Sequence, residues 1–116
     1  MATMHFKPIF ASFGASDFIF YTIMFVVDIC YKVPLAEVEP FFEAHIAFVR
    51  KYVDLGVFIL TAKKIPRSGG IILANAPSET ELIEILQEDP FWEFGLAVFH
   101  MQEVQLSQVS AKLREL

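Results

Sequence analysis

The sequence predicts a ferredoxin-like α+β sandwich of order βαββαβ, an antiparallel sheet with both helices on one face. Three observations carry that prediction. Segments of strand and helix character alternate as strand, helix, strand, strand, helix, strand along 116 residues, the length of one domain. Pro34, Gly56, Gly69-Gly70 and Asp89-Pro90 stand between those segments as helix starts, helix stops and turns. The third is composition: 55% hydrophobic residues, 13 Phe and a mean hydropathy of +0.51 are more than such a small sandwich hides alone. A sheet with helices on one side leaves its other face bare, and a second sheet laid against it would bury the excess, so a homodimer or higher homo-oligomer is expected.

Each element has its own warrant. Residues 1–18 show no clear period and are read as an N-terminal extension, leaving 19–116 as the domain. From about Ile19 to Tyr31 the chain is rich in Phe, Ile, Val and Tyr, as a covered strand is. Pro34 opens a helix running to about Leu55, with Glu37 and Glu39 early, where the helix dipole favours negative charge. Pro40 is tolerated only near a helix start, so regular helix is expected from Glu39. At a hundred degrees per residue, Val38, Phe41, Phe42, Phe48, Val49 and Tyr52 share one face and Glu43, Arg50, Lys51 and Asp54 the opposite one. Val57 to Ala62 is a short apolar strand, KKIPRS turns it, and Gly69-Gly70 leads into the strand Ile71 to Asn75. Ser78-x-x-Glu81 is a capping box, and Leu82, Ile83, Ile85 and Leu86 form the stripe of the helix it starts. Asp89-Pro90 ends that helix, a last strand runs from about Gly95 to Gln105, and SQVSAKLREL closes the chain as a short helix.

Several function classes are excluded by composition. The net charge is −5, with Lys and Arg nowhere in blocks longer than a pair, so neither nucleic acid nor an anionic membrane surface is an expected partner. The one cysteine, Cys30, allows no internal disulfide and no multi-cysteine zinc site, and it fits a reducing compartment. The apolar run Phe18 to Val27 lies between Asp17 and Asp28 and is too short to span a bilayer, which needs roughly 20 residues. A cytoplasmic protein is expected, because Lys7 and the broken run after it make a poor signal peptide.

His45 occupies the centre of the apolar face of the first helix. In this order of elements it approaches Asp89 over the edge of the sheet, and a carboxylate beside an imidazole fixes its tautomer for proton transfer. The competing reading is a core histidine with one ring nitrogen hydrogen-bonded, and an Asp-Pro doing ordinary turn work. Phe91 and Trp92, with Phe94, either line an aromatic pocket or cover the open end of the sandwich. Lys63, Lys64 and Arg67 either hold a substrate carboxylate or form a solvated loop. His100 has no second ligand at metal spacing and is expected to pair across the sheet or in a dimer contact; no metal site and no phosphate-binding loop is expected.

The run from Met24 to Gln105 resembles the YciI-like proteins, the YCII-related group of the dimeric α/β-barrel superfamily. The resemblance rests on His45 followed by Phe48 and Val49, Gly56 before an apolar strand, Gly69 and Gly70 before the third, and Asp89-Pro90-Phe91 followed by Gly95. It implies a homodimer whose sheets form a shared barrel, with a cleft beside each first helix. His45 and Asp89 match the family's proposed active-site pair, which a related dehydrochlorinase is thought to use to move protons on an aromatic substrate. Where the family often has Ser-Gly-Pro at the end of the second strand, this chain has Thr61-Ala62-Lys63, keeping a hydroxyl but losing the glycine.

With the resemblance included, the expected function is a cofactor-independent enzyme of lyase or isomerase type acting on a small aromatic or unsaturated acid. His45 and Asp89 are its catalytic pair, and Thr61, Lys63, Arg67, Phe91 and Trp92 contact substrate. The alternatives are a non-catalytic dimeric module binding a small ligand or a protein, and a cofactor-free monooxygenase with room for a polycyclic substrate.

Overall fold

The computed structural model describes residues 23–115; the expected extension over 1–18, and residues 19–22 of the expected first strand, lie outside them. Nine residues, Ile23–Tyr31, form β1, which pairs antiparallel with both β3 (Gly69–Ala74) and β4 (Ala97–Gln105). β2 (Phe58–Lys63) adds to the far side of β3, giving the antiparallel order β2-β3-β1-β4 of the ferredoxin-like fold.

Between β1 and β2 the expected first turn and regular helix are three pieces, and the regular helix starts at Phe42 rather than Glu39. A turn of α-helix, α1 (Leu35–Val38), runs into a 3-10 turn at Glu39–Phe41, and α2 (Phe42–Asp54) follows. Pro40 is the physical reason: without an N–H it cannot continue an α-helical ladder, and the tighter turn absorbs it. Gly56, with φ of +77°, carries the chain out of α2 through a backbone shape costly for other residues.

Ser78 caps α3 (Glu79–Leu86) by accepting from the Glu81 amide, as the capping box predicts. Asp89-Pro90 ends that helix and also starts another, which the sequence reading missed: α4 (Pro90–Glu93), with Asp89 as its N-cap and Pro90 at its first position. The chain finishes in a 3-10 turn, Ala111–Glu115.

Alternation along the strands sorts two faces. Phe25, Val27, Ile29, Phe58, Ile72 and Ala74 point toward the helices and meet Val38, Phe48, Tyr52, Leu82, Leu86 and Phe91 in one core. The opposite face carries Val26, Ile71, Leu73, Leu60 and Val98, the last two each 38% exposed. The C-terminal segment folds over one end of it, where Leu106, Val109 and Leu113 stand around Met24, Ile59 and Leu73.

A bulge at Ile59 breaks the β2 ladder between Phe58 and Leu60, and its effect is felt downstream. After the bulge, Thr61 and Lys63 fall on the helix side opposite Ile72 and Gly70, while Ala62 falls on the other side opposite Ile71. At Gly69 β3 lies against the β1 backbone: a Cβ there would run into the Ile29 carbonyl oxygen, so only glycine fits.

Candidate active site

α2 turns Phe48 and Tyr52 into the core, and His45 lies one turn before Phe48 on the same side. Its side chain remains 19% exposed, whereas the Asp89 side chain it faces is 0% exposed. His45 Nδ1 lies 3.0 Å from both Asp89 carboxylate oxygens. Asp89 Oδ1 also accepts the Phe91 amide at 2.9 Å, so the cap of α4 and the partner of the histidine are one carboxylate. An ionised carboxylate only accepts; it therefore keeps the imidazole proton on Nδ1 and leaves Nε2 as the nitrogen open to a ligand. The Phe91 ring stacks on the imidazole at 4.0 Å and 6°, which fixes the ring plane.

A cavity of about 330 Å³ opens in front of this pair, in the range of small-molecule sites. Its walls include His45, Ile46 and Val49 of α2, Ile29 and Tyr31 of β1, Thr61 and Lys63 of β2, Arg67, and Phe91. The sequence-predicted residues His45, Asp89, Thr61, Lys63, Arg67 and Phe91 thus converge, Asp89 from behind the histidine. Trp92 does not join them: its ring packs on Phe99 at 5.0 Å. Phe94 is 55% exposed beside Phe41. His100 stands opposite Asp28 in the β1–β4 register, on the sheet face away from the cavity.

Arg67 lies with its guanidinium 4.5 Å from the centre of the Phe42 ring, and its buried Nε has no hydrogen-bond partner among the described residues. Lys64, one residue after Lys63, points to the other sheet face, where its Nζ meets Asp28 at 2.6 Å and Cys30 Sγ at 3.3 Å. Lys64 holds the Asp28 carboxyl below its usual range, and Asp28 in turn raises the lysine.

Tyr31 is a wall residue the sequence reading did not single out; counting by twos from Val27 and Ile29 places it on the helix side. It meets Phe91 edge-on at 5.6 Å. Also missed was the support beside the pair. Tyr52, two turns after His45, donates to Glu88 at 2.7 Å, and Lys51 reaches the same carboxylate at 3.1 Å. Two residues on one side of α2 thus hold the consecutive residues Glu88 and Asp89. The Tyr52 hydroxyl, followed by Lys51, lowers the Glu88 pKa, while burial and then Glu88 raise that of Tyr52.

The family model of the YCII-related domain matches residues 24–105, which contain every residue of the cavity wall named above. Among solved structures, the chain resembles 5-chloro-2-hydroxyhydroquinone dehydrochlorinase from Burkholderia phenoliruptrix, determined in complex with 2,5-dihydroxybenzoquinone. The TM-score is 0.65 at 15% identity, covering 72% of this chain and 95% of the other, a likeness of fold. No curated protein matches the chain in sequence.

Proposed function

This chain belongs to the YCII-related domain family, and on that premise we propose that it is a small cytoplasmic enzyme of lyase or isomerase type, working as a homodimer. The observation that carries the reading is the His45–Asp89 contact, Nδ1 to a fully buried carboxylate at 3.0 Å, in the wall of a cavity sized for a single substituted ring. The solved relative of like fold is named for acting on a chlorinated hydroquinone, which agrees with a small ring as substrate.

The chemistry follows from the free nitrogen. His45 Nε2 takes a proton from a carbon or hydroxyl acidified by a neighbouring carbonyl or ring, and the electron pair moves into the conjugated system. In a lyase step that pair expels a leaving group from the adjacent carbon; in an isomerisation the imidazolium returns the proton elsewhere on the same molecule. Asp89 stabilises the imidazolium meanwhile and holds Nδ1–H in place. Proton transfer of this kind asks for no cofactor.

The test is a screen of hydroxylated and halogenated hydroquinones and small unsaturated acids, followed by the variants His45→Ala and Asp89→Asn. Turnover is expected to fall about 10²–10⁴-fold in His45→Ala. A substrate turned over equally well by both variants would refute the assignment, and tight binding of ring compounds without turnover would make the chain a non-catalytic ligand-binding protein.

A further inference from the structure

Among the described residues the cavity wall contains two cations, Lys63 and Arg67, and no acidic side chain. Asp89, behind the wall, is already committed to His45 and to the Phe91 amide. This is the reverse of the protein's average, a net charge of −5. A concave site carrying one sign of charge concentrates the opposite sign in its ligands.

Arg67 makes the argument specific. Among the described residues no carboxylate pairs with it and its buried Nε–H has no acceptor. A buried donor normally has a partner, so an acceptor oxygen is what the position lacks. The Phe42 ring beneath it anchors the guanidinium in place, and an anchored planar fork suits an oxyanion better than a lysine ammonium does. Phe42 and His45 are three residues apart on α2, about 5–6 Å between Cβ atoms. That spacing is comparable with the span of a six-membered ring and one substituent. Lys63, by contrast, is exposed at the end of β2.

We propose that the cavity selects a single-ring oxyanion, an aryl carboxylate or a phenolate, with Arg67 receiving the charged oxygen and Lys63 attracting the ligand from the rim. The proposal rests on the reading of this cavity as the proton-transfer site only in identifying the anion with the molecule on which His45 acts. His45 Nε2 then faces the ring while Arg67 carries the negative charge that proton removal adds to it.

The test compares binding of benzoate with that of benzamide, its neutral counterpart, to the full chain. Calorimetry gives the affinities, and the Arg67 Nε–H NMR signal reports where the ligand sits. Benzoate is expected to bind at least about ten-fold more tightly and to shift that signal. Arg67→Gln should erase the preference and Arg67→Lys keep part of it. Lys63→Gln should slow association and reduce its salt dependence while the preference survives. Equal affinities, benzoate binding indifferent to Arg67→Gln, or no benzoate binding at all would overturn the proposal. A neutral substrate turned over through His45 would sink this inference and leave the proton-transfer reading standing; benzoate held by Arg67 beside a dispensable His45 would do the opposite.

Discussion

Asp89 caps α4, accepts a hydrogen bond from His45 and is fully buried, so replacements separate its tasks. Asn retains a capping oxygen but can also donate, which allows the ring to hold its proton on Nε2 instead. Nitrogen NMR of the His45 ring is expected to show the Nδ1–H tautomer in the native protein and its loss in Asp89→Asn. Asp89→Ala removes the cap as well and should destabilise the fold by about 1–3 kcal/mol, read from thermal or urea unfolding. The pair was partly visible in the sequence, because the order of elements brings the first helix near the end of the second. The stacking of Phe91 on His45 and of Arg67 on Phe42 was not, since both depend on the path of turns that spacing does not specify.

At the level of elements, α2 grips the chain after α3 twice, through His45 to Asp89 and through Tyr52 to Glu88. Glu88 has its pKa lowered by the Tyr52 hydroxyl and then by Lys51. Its contribution is therefore complete above the ordinary carboxylate value and is lost as pH falls through the lower, folded one. Tyr52 acts at the other end of the scale. Its pKa is raised from 10.0 by burial and then by Glu88, so its contribution is complete below that value and is lost as pH rises through the folded one. Tyr52→Phe should cost about 1 kcal/mol near neutrality, the carboxylate being 46% exposed, and flatten the decline in melting temperature on acidification. The end of β1 and the bounds of β2, β3 and β4 follow from composition to within two residues, and Ser78 and Gly56 mark helix ends by chemistry that acts locally. Pro40 marks the break after the first turn, but spacing does not say that a 3-10 turn absorbs it and delays the regular helix to Phe42; α4 escapes the sequence because Pro90 permits a stop or a start and packing decides between them.

For the molecule as a whole, the open sheet face is the feature that composition foretold. Val26, Ile71 and Leu73 are only half-buried there, and Leu60 and Val98 are 38% exposed. A second copy laid face to face would cover them, and light scattering coupled to size exclusion is expected to give twice the chain mass of 13.2 kDa. The double variant Leu60→Asp and Val98→Asp should shift it to the monomer, since paired charges cannot be buried cheaply. The two sides of this sheet are also joined by a count. Between Phe58 and Leu60 the bulge adds one residue, and because strand side chains alternate, that single addition fixes which of two neighbouring lysines serves which surface. With it, Lys63 borders the cavity and Lys64 meets Asp28 on the opposite face of the sheet. Were Ile59 drawn into the ladder opposite Leu73, every later pair of β2 would slip by one residue, turning Lys64 toward the cavity and stripping Asp28 of its counter-ion, so one unpaired residue far from the chemistry acts as a parity rule for both faces of the sheet.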